Sequence, residues 1–223
     1  MQRILKYLRS NAPFLIAYLI IMIIQIPILA GIPKNSLHLL INRYHSPAAD
    51  IFFKYLTCLG DGSIPFLVAF IFIFFSFRKS FLVCLSGTLA GIIAQFLKRI
   101  VFPDIKRPYG IFKELPDFHI VSGVHMHSSY SFPSGHAATI FAMCLILAGF
   151  TRNKTLKILF LFIAFLVAFS RVYLSQHFLT DMYAGSFIGI LSSVLIFVIF
   201  DGFKAKWLDS SLLQVTKKST RNE

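Results

Sequence analysis

PFLIAYLIIMIIQIPILAGIP, residues 13–33, carries no charged side chain along its whole length. At 1.5 Å per helical residue such a stretch is about 30 Å long, the thickness of a bilayer's hydrocarbon core. A backbone in lipid must satisfy its polar groups internally, so the segment is predicted to be a membrane-spanning helix. Five further apolar blocks come after it, at residues 64–77, 81–97, 133–150, 156–173 and 178–200, separated by charged loops. The pattern predicts an all-α integral membrane bundle of six transmembrane helices. The second block is short; it could be lengthened backwards through residues 51–59, though Asp61, Gly62 and Pro65 suggest a broken or interfacial entry instead.

The composition agrees. Of the 223 residues 57% are hydrophobic and 14% charged, where a soluble domain carries about 25% charged residues, and the mean hydropathy is +0.74. The net charge of +13 would suit a nucleic-acid partner, but the positions of the charges argue otherwise. With both termini cytoplasmic, the inner segments hold thirteen bases, from Arg3 to Arg221, against Asp201, Asp209 and Glu223. The outer segments hold nine bases and six acids. This positive-inside bias sets the orientation, and the basic tails suit anionic lipid headgroups rather than nucleic acid.

The apolar stretch after residue 12 lacks a convincing small-residue cleavage site, so it is expected to be a retained span. Cys58, Cys84 and Cys144 are dispersed and suggest neither a disulfide frame nor a metal knuckle. No repeat or second module is visible, and residues 1–223 are expected to form one domain with its motifs in residues 98–181. The spaced glycines Gly87 with Gly91 and Gly185 with Gly189 predict close helix packing within the bundle. Two outer segments stand out: residues 34–63, with an expected interfacial helix, and residues 98–132, an expected lid containing His119, His125 and His127. In this topology all seven histidines fall on or near the outer face.

Three polar stretches sit where spans meet outer loops. In the third, His177 and Asp181 are four residues apart, so on a helix the carboxylate can take a hydrogen bond from one ring nitrogen and leave the other as a nucleophile or base. Arg171 ends a span, where a guanidinium is costly unless it meets an anion, and its planar fork suits phosphate oxygens. In the second stretch Pro133 suits a first helical turn, Ser134 offers a hydroxyl, and Gly135 allows close backbone approach, so the helix start reads as an anion cradle. His136 comes next, placed to protonate a departing oxygen. The first stretch adds Lys98 and Arg107, with Pro108 biasing Arg107 toward extended backbone. Together they predict a site in which three cations and a helix start hold a phosphoryl group while one histidine attacks and another supplies a proton.

These stretches, Lys98 with Arg107-Pro108, Pro133 to His136, and Ser170-Arg171 with His177 and Asp181, resemble the signature of the type 2 phosphatidic acid phosphatase superfamily. The second and third match it completely. The first departs, with eight residues between Lys98 and Arg107, more than is usual, and leaves Lys106 as an alternative. The resemblance implies that His177 forms a phosphohistidine, that Asp181 orients it, and that His136 protonates the leaving group and then activates water. It also implies phosphate binding by Lys98, Arg107, Ser134, Gly135 and Arg171, with no metal or cofactor.

The expectation is a bacterial cytoplasmic-membrane enzyme with its site on the periplasmic face, acting on a lipid-borne phosphate or diphosphate. Undecaprenyl diphosphate and lipid A are favoured because both present phosphate at the outer leaflet. Phosphatidylglycerol phosphate and phosphatidic acid are further candidates. The expected partners are this lipid and the bilayer, with oligomeric state open. Two rival readings stand beside it: a headgroup or phosphoryl transferase using the same histidine, and a non-enzymatic metal-handling protein using His119, His125 and His127.

Overall fold

The computed structural model describes residues 2–219; Arg221 and Glu223, two of the inner charges, lie outside them. The described residues contain eleven α-helices and no strand: α1 Gln2–Ser10, α2 Ala12–Gly31, α3 Lys34–Arg43, α4 Pro47–Leu56, α5 Ile64–Ile73, α6 Phe77–Phe96, α7 Pro108–Phe112, α8 Gly135–Gly149, α9 Lys154–Tyr173, α10 Leu179–Asp201 and α11 Leu212–Ser219. Local sequence sets several starts. Ser46, Ser76 and Asn153 each accept a backbone amide of the first turn of α4, α6 and α9, the usual capping role of short polar side chains.

Four helical segments are long and apolar enough to cross a membrane: Ala12–Gly31, Phe77–Val101, Lys154–Tyr173 and Leu179–Phe200. A fifth is a broken pair, Pro47–Gly60 with Ile64–Ile73, bent by 59°. The bend falls at Asp61, Gly62 and Ser63, where the sequence signals an interruption. The remaining apolar block forms α8, whose 15 residues reach about 22 Å, short of a full hydrocarbon core. Its position accounts for its composition. It packs against α6, α9 and α10, and eleven of its residues, Ala137 to Ala148 with Leu147 excepted, are buried. A helix that is apolar all round belongs inside a bundle.

The bundle's outer surface is apolar as well. Ile16, Leu19, Ile20, Ile23 and Ile24 on α2, Phe66, Leu67 and Phe70 on α5, and Phe187, Leu191 and Leu195 on α10 are exposed. In water such a belt would drive aggregation, whereas lipid solvates it. The chain is therefore an all-helical membrane protein.

Three of the four spaced glycines sit at helix contacts. A Cβ on Gly185 would collide with the Ser134 carbonyl oxygen, one on Gly189 with that of Ala138, and one on Gly87 would come within 2.7 Å of Pro65. Gly91 has nothing within 4 Å. The first two contacts lay α10 directly on the start of α8, and so fix the distance between two of the polar stretches.

Candidate active site

α9 ends at Tyr173, and a short loop with Ser175 at φ 55° carries the chain into α10. Asp181, in the first turn of α10, reaches back to accept the Phe178 amide at 3.0 Å. The same oxygen faces His177 Nδ1 at 3.3 Å and takes the Ser131 hydroxyl at 2.5 Å. Asp181 thus caps its own helix and holds the histidine ring. With Nδ1 donating to the carboxylate, Nε2 carries the lone pair.

His177 lines a cavity of about 370 Å³ with Lys98, Arg107, His127, Gly135, His136 and Arg171. Residues up to 79 positions apart in the chain thereby share one space at one end of the bundle. Lys98 lies in a π turn, Leu97–Val101, that closes α6; such turns insert an extra residue and re-aim the side chains beyond them. Lys98 and Arg107 line one cavity despite their long separation, whereas Lys106 is exposed and is not among the lining residues.

Arg107 has extended backbone, φ −78° and ψ 161°, ahead of Pro108, as the X-Pro geometry requires. Its Nε donates to the Ser129 carbonyl at 2.9 Å and its Nη1 to Gln176 Oε1 at 3.0 Å. Gln176 Nε2 in turn donates to the His125 carbonyl at 3.1 Å. The lid and the α9–α10 loop are therefore tied to each other through a site cation. Arg171 is 9% exposed; its Nη1 donates to Thr57 Oγ1 at 3.1 Å, and its Nε is buried without a hydrogen-bond partner. Arg171 lines the cavity together with Lys98 and Arg107, and three cations on one cavity suit an anion.

The helix start differs in detail from its sequence reading. Pro133 precedes the helix, Ser134 is the N-cap, and α8 begins at Gly135. Ser134 is fully buried and does not line the cavity. Its hydroxyl accepts the Ala137 amide at 3.4 Å, and its own amide donates to the Asp181 carbonyl at 3.0 Å. Gly135 does line the cavity, and nothing lies within 4 Å of where its Cβ would stand. The backbone at the start of α8 can therefore approach an anion closely.

Burial, followed by the positive charges of Arg107, Lys98 and Arg171, holds the His177 pKa well below its usual 6.5. The ring is neutral at neutral pH, which leaves Nε2 free to act as a nucleophile or base. Arg107 is brought down to about 10 by burial, partly opposed by Asp181, and remains charged.

Several participants carry no signal in the sequence that singles them out. Ser131 and Gln176 lie inside or beside the polar stretches without an evident role there. Thr57 and Asp61 come from the broken second span, and Asp61 Oδ1 meets His136 Nε2 at 2.8 Å. Of the lid histidines, His119 is bound to Asp50 at 3.0 Å and stacks on His45, while His125 and His127 lie beside each other with ring centres 4.6 Å apart. Among the described residues no group of three His, Cys, Asp or Glu could hold a metal ion.

A sequence profile described as PAP2 superfamily matches residues 79–204, more than half the chain, and the chain belongs to that superfamily. It is thereby a membrane lipid phosphatase, a hydrolase. The lipid A 4'-phosphatase of Porphyromonas gingivalis is 24% identical over 185 residues, which cover 80% of this chain and 77% of that one. The crystal structure of Aquifex aeolicus LpxE has a TM-score of 0.62 at 28% identity, covering 72% of this chain and 92% of that one. The transmembrane PAP2 type phosphatidylglycerolphosphate phosphatase of Bacillus subtilis has a TM-score of 0.58 at 23% identity, covering 88% and 98%; at that identity the likeness speaks for the fold.

Proposed function

We propose that the protein hydrolyses a phosphate group from a lipid of the outer leaflet by way of a phosphohistidine on His177. The observation that carries this reading is the meeting of His177, His136, Lys98, Arg107 and Arg171 around one cavity. The phosphoryl group would sit among the three cations and the start of α8. His177 Nε2 attacks phosphorus, the P–O bond to the lipid breaks with its electron pair moving to oxygen, and His136 supplies the proton that oxygen needs. A water then attacks phosphorus, His136 takes its proton, and the P–N bond breaks to release phosphate. Three fixed cations stabilise the charge on the equatorial oxygens in both steps.

The orientation rests on the charge pattern: six crossings in all, with α8 as the short central one, both termini cytoplasmic, and the site facing the periplasm of a bacterial inner membrane. Lipid A is the substrate we favour, since its phosphate lies at that face and a relative matched over most of its length is named for it. Undecaprenyl diphosphate comes next. Purified protein offered lipid A, undecaprenyl diphosphate, phosphatidylglycerol phosphate and phosphatidic acid in detergent should release inorganic phosphate fastest from lipid A. Release from none of them, or transfer of label to an acceptor lipid without free phosphate, would overturn the hydrolase assignment.

A further inference from the structure

We infer that Asp61 is the positioning residue for His136, so that the site contains a second carboxylate–imidazole pair alongside Asp181 with His177. This rests on the phosphatase reading and adds a residue to it.

The pair is built by the backbone. Asp61 stands at the break between the two halves of the bent span, with its amide donating to the Cys58 carbonyl at 3.1 Å and its carbonyl accepting the Ile64 amide at 3.0 Å. Preceding it is Gly60, where a Cβ would come within 2.9 Å of His136 Cδ2 and 3.0 Å of Val167 Cγ1. A side chain at position 60 would push this turn away from the histidine, so the glycine permits the contact. The Asp61 carboxylate then meets His136 Nε2 at 2.8 Å, a charge-assisted length.

Chemically the pair does for the acid what Asp181 does for the nucleophile. A carboxylate can only accept, so Nε2 keeps its hydrogen and Nδ1 becomes the nitrogen that exchanges a proton with the departing oxygen and later with water. A surface ion pair of no consequence is the competing explanation; it would leave catalysis untouched.

The test compares leaving groups. Asp61→Asn and Asp61→Ala, His136→Ala and the double variant Asp61→Asn/His136→Ala are assayed on p-nitrophenyl phosphate, whose phenolate leaves without a proton, and on a short-chain phosphatidic acid, whose alkoxide does not. Asp61→Asn should lower kcat/KM, which reports the first, phosphorylating step, about 10- to 100-fold on the alkyl phosphate and less than about 3-fold on the aryl phosphate. The double variant should be no worse than His136→Ala alone. Equal losses of kcat/KM on both substrates, or additive losses, would overturn the assignment, and a detergent melting curve identifies a variant that has simply lost its fold. Wild-type enzyme and His177→Ala are run in parallel. If wild type hydrolyses neither substrate, or His177→Ala retains turnover, the phosphatase mechanism fails and this inference falls with it; loss in His177→Ala with a flat leaving-group response in Asp61→Asn sinks the inference alone.

Discussion

Replacing Gly185 by alanine should damage both stability and catalysis, because that residue sets the spacing of the two helix starts that carry the site. The added Cβ would overlap the Ser134 carbonyl oxygen and stand 3.0 Å from Ala137 Cβ. Neither neighbour is the free end of a flexible chain, so α10 must move away from α8 by several tenths of an ångström. Overpacking of this kind costs about 1–3 kcal/mol. It is only partly offset by the roughly 1 kcal/mol that alanine gains over glycine in a helix. The displacement falls on the Ser134 amide's bond to the Asp181 carbonyl, and so on the relative placement of Gly135 and His177. A misplacement of about 1 Å can cost about 100-fold in rate. Gly31→Ala, at the end of α2 and away from the cavity, is the internal control, since its Cβ would meet nothing within 4 Å; it should melt no lower than wild type. Detergent melting curves with phosphate release on the same preparations provide the comparison. If Gly185→Ala melts and turns over like Gly31→Ala, then α8–α10 contact does not set the site geometry.

Removing the Arg171 side chain as Arg171→Ala takes away one full charge; at about 4 Å from the phosphoryl group and an effective dielectric near 20 this is worth about 4 kcal/mol, or about 1,000-fold in kcat/KM. Arg171→Lys keeps the charge but not the fork that reaches Thr57, and should recover only part of that loss in the same assay. Because His177 is held well below its usual pKa, the acid limb of kcat/KM should lie below pH 6.5, and a limb at or above that value would contradict its neutral state in the free enzyme. His38 is 1% exposed, with a pKa lowered by burial from 6.5 to about 4. The unfolded chain therefore binds the extra proton first, and stability is complete above pH 6.5 and lost as pH falls toward 4. Between pH 7 and pH 5 His38 should account for about 2 kcal/mol of that loss, which His38→Gln should remove from the pH dependence of detergent unfolding.

The membrane constraint makes the fold legible in the sequence. A helix with no charge over a bilayer's length has few alternatives, and the interruption at Asp61 and Gly62 foretells the bend in the second span. α8 looks in sequence like any other span because composition does not distinguish a central helix from a lipid-facing one; only its packing against α6, α9 and α10 explains its 15-residue length. The site is legible where chemistry is local: His177 with Asp181, and the cluster from Pro133 to His136. It is not legible where partners come from distant turns. Asp61 announces itself as a helix breaker, and nothing in its neighbourhood says that its carboxylate meets a histidine 75 positions later. Ser134 shows the opposite failure, since a hydroxyl beside a helix start serves an anion or the helix itself equally well in sequence, and here it caps the helix. The long separation of Lys98 from Arg107 includes a π turn, which no spacing rule anticipates.

The covalent step is open to direct observation. Enzyme mixed rapidly with p-nitrophenyl phosphate and quenched in alkali, where phosphohistidine survives, should yield on digestion a peptide containing His177 heavier by one phosphoryl group. His136→Ala should accumulate more of it, since water attack then lacks its base. Turnover with no phosphate on His177 at any time point, or phosphate appearing on a different residue, would contradict the account.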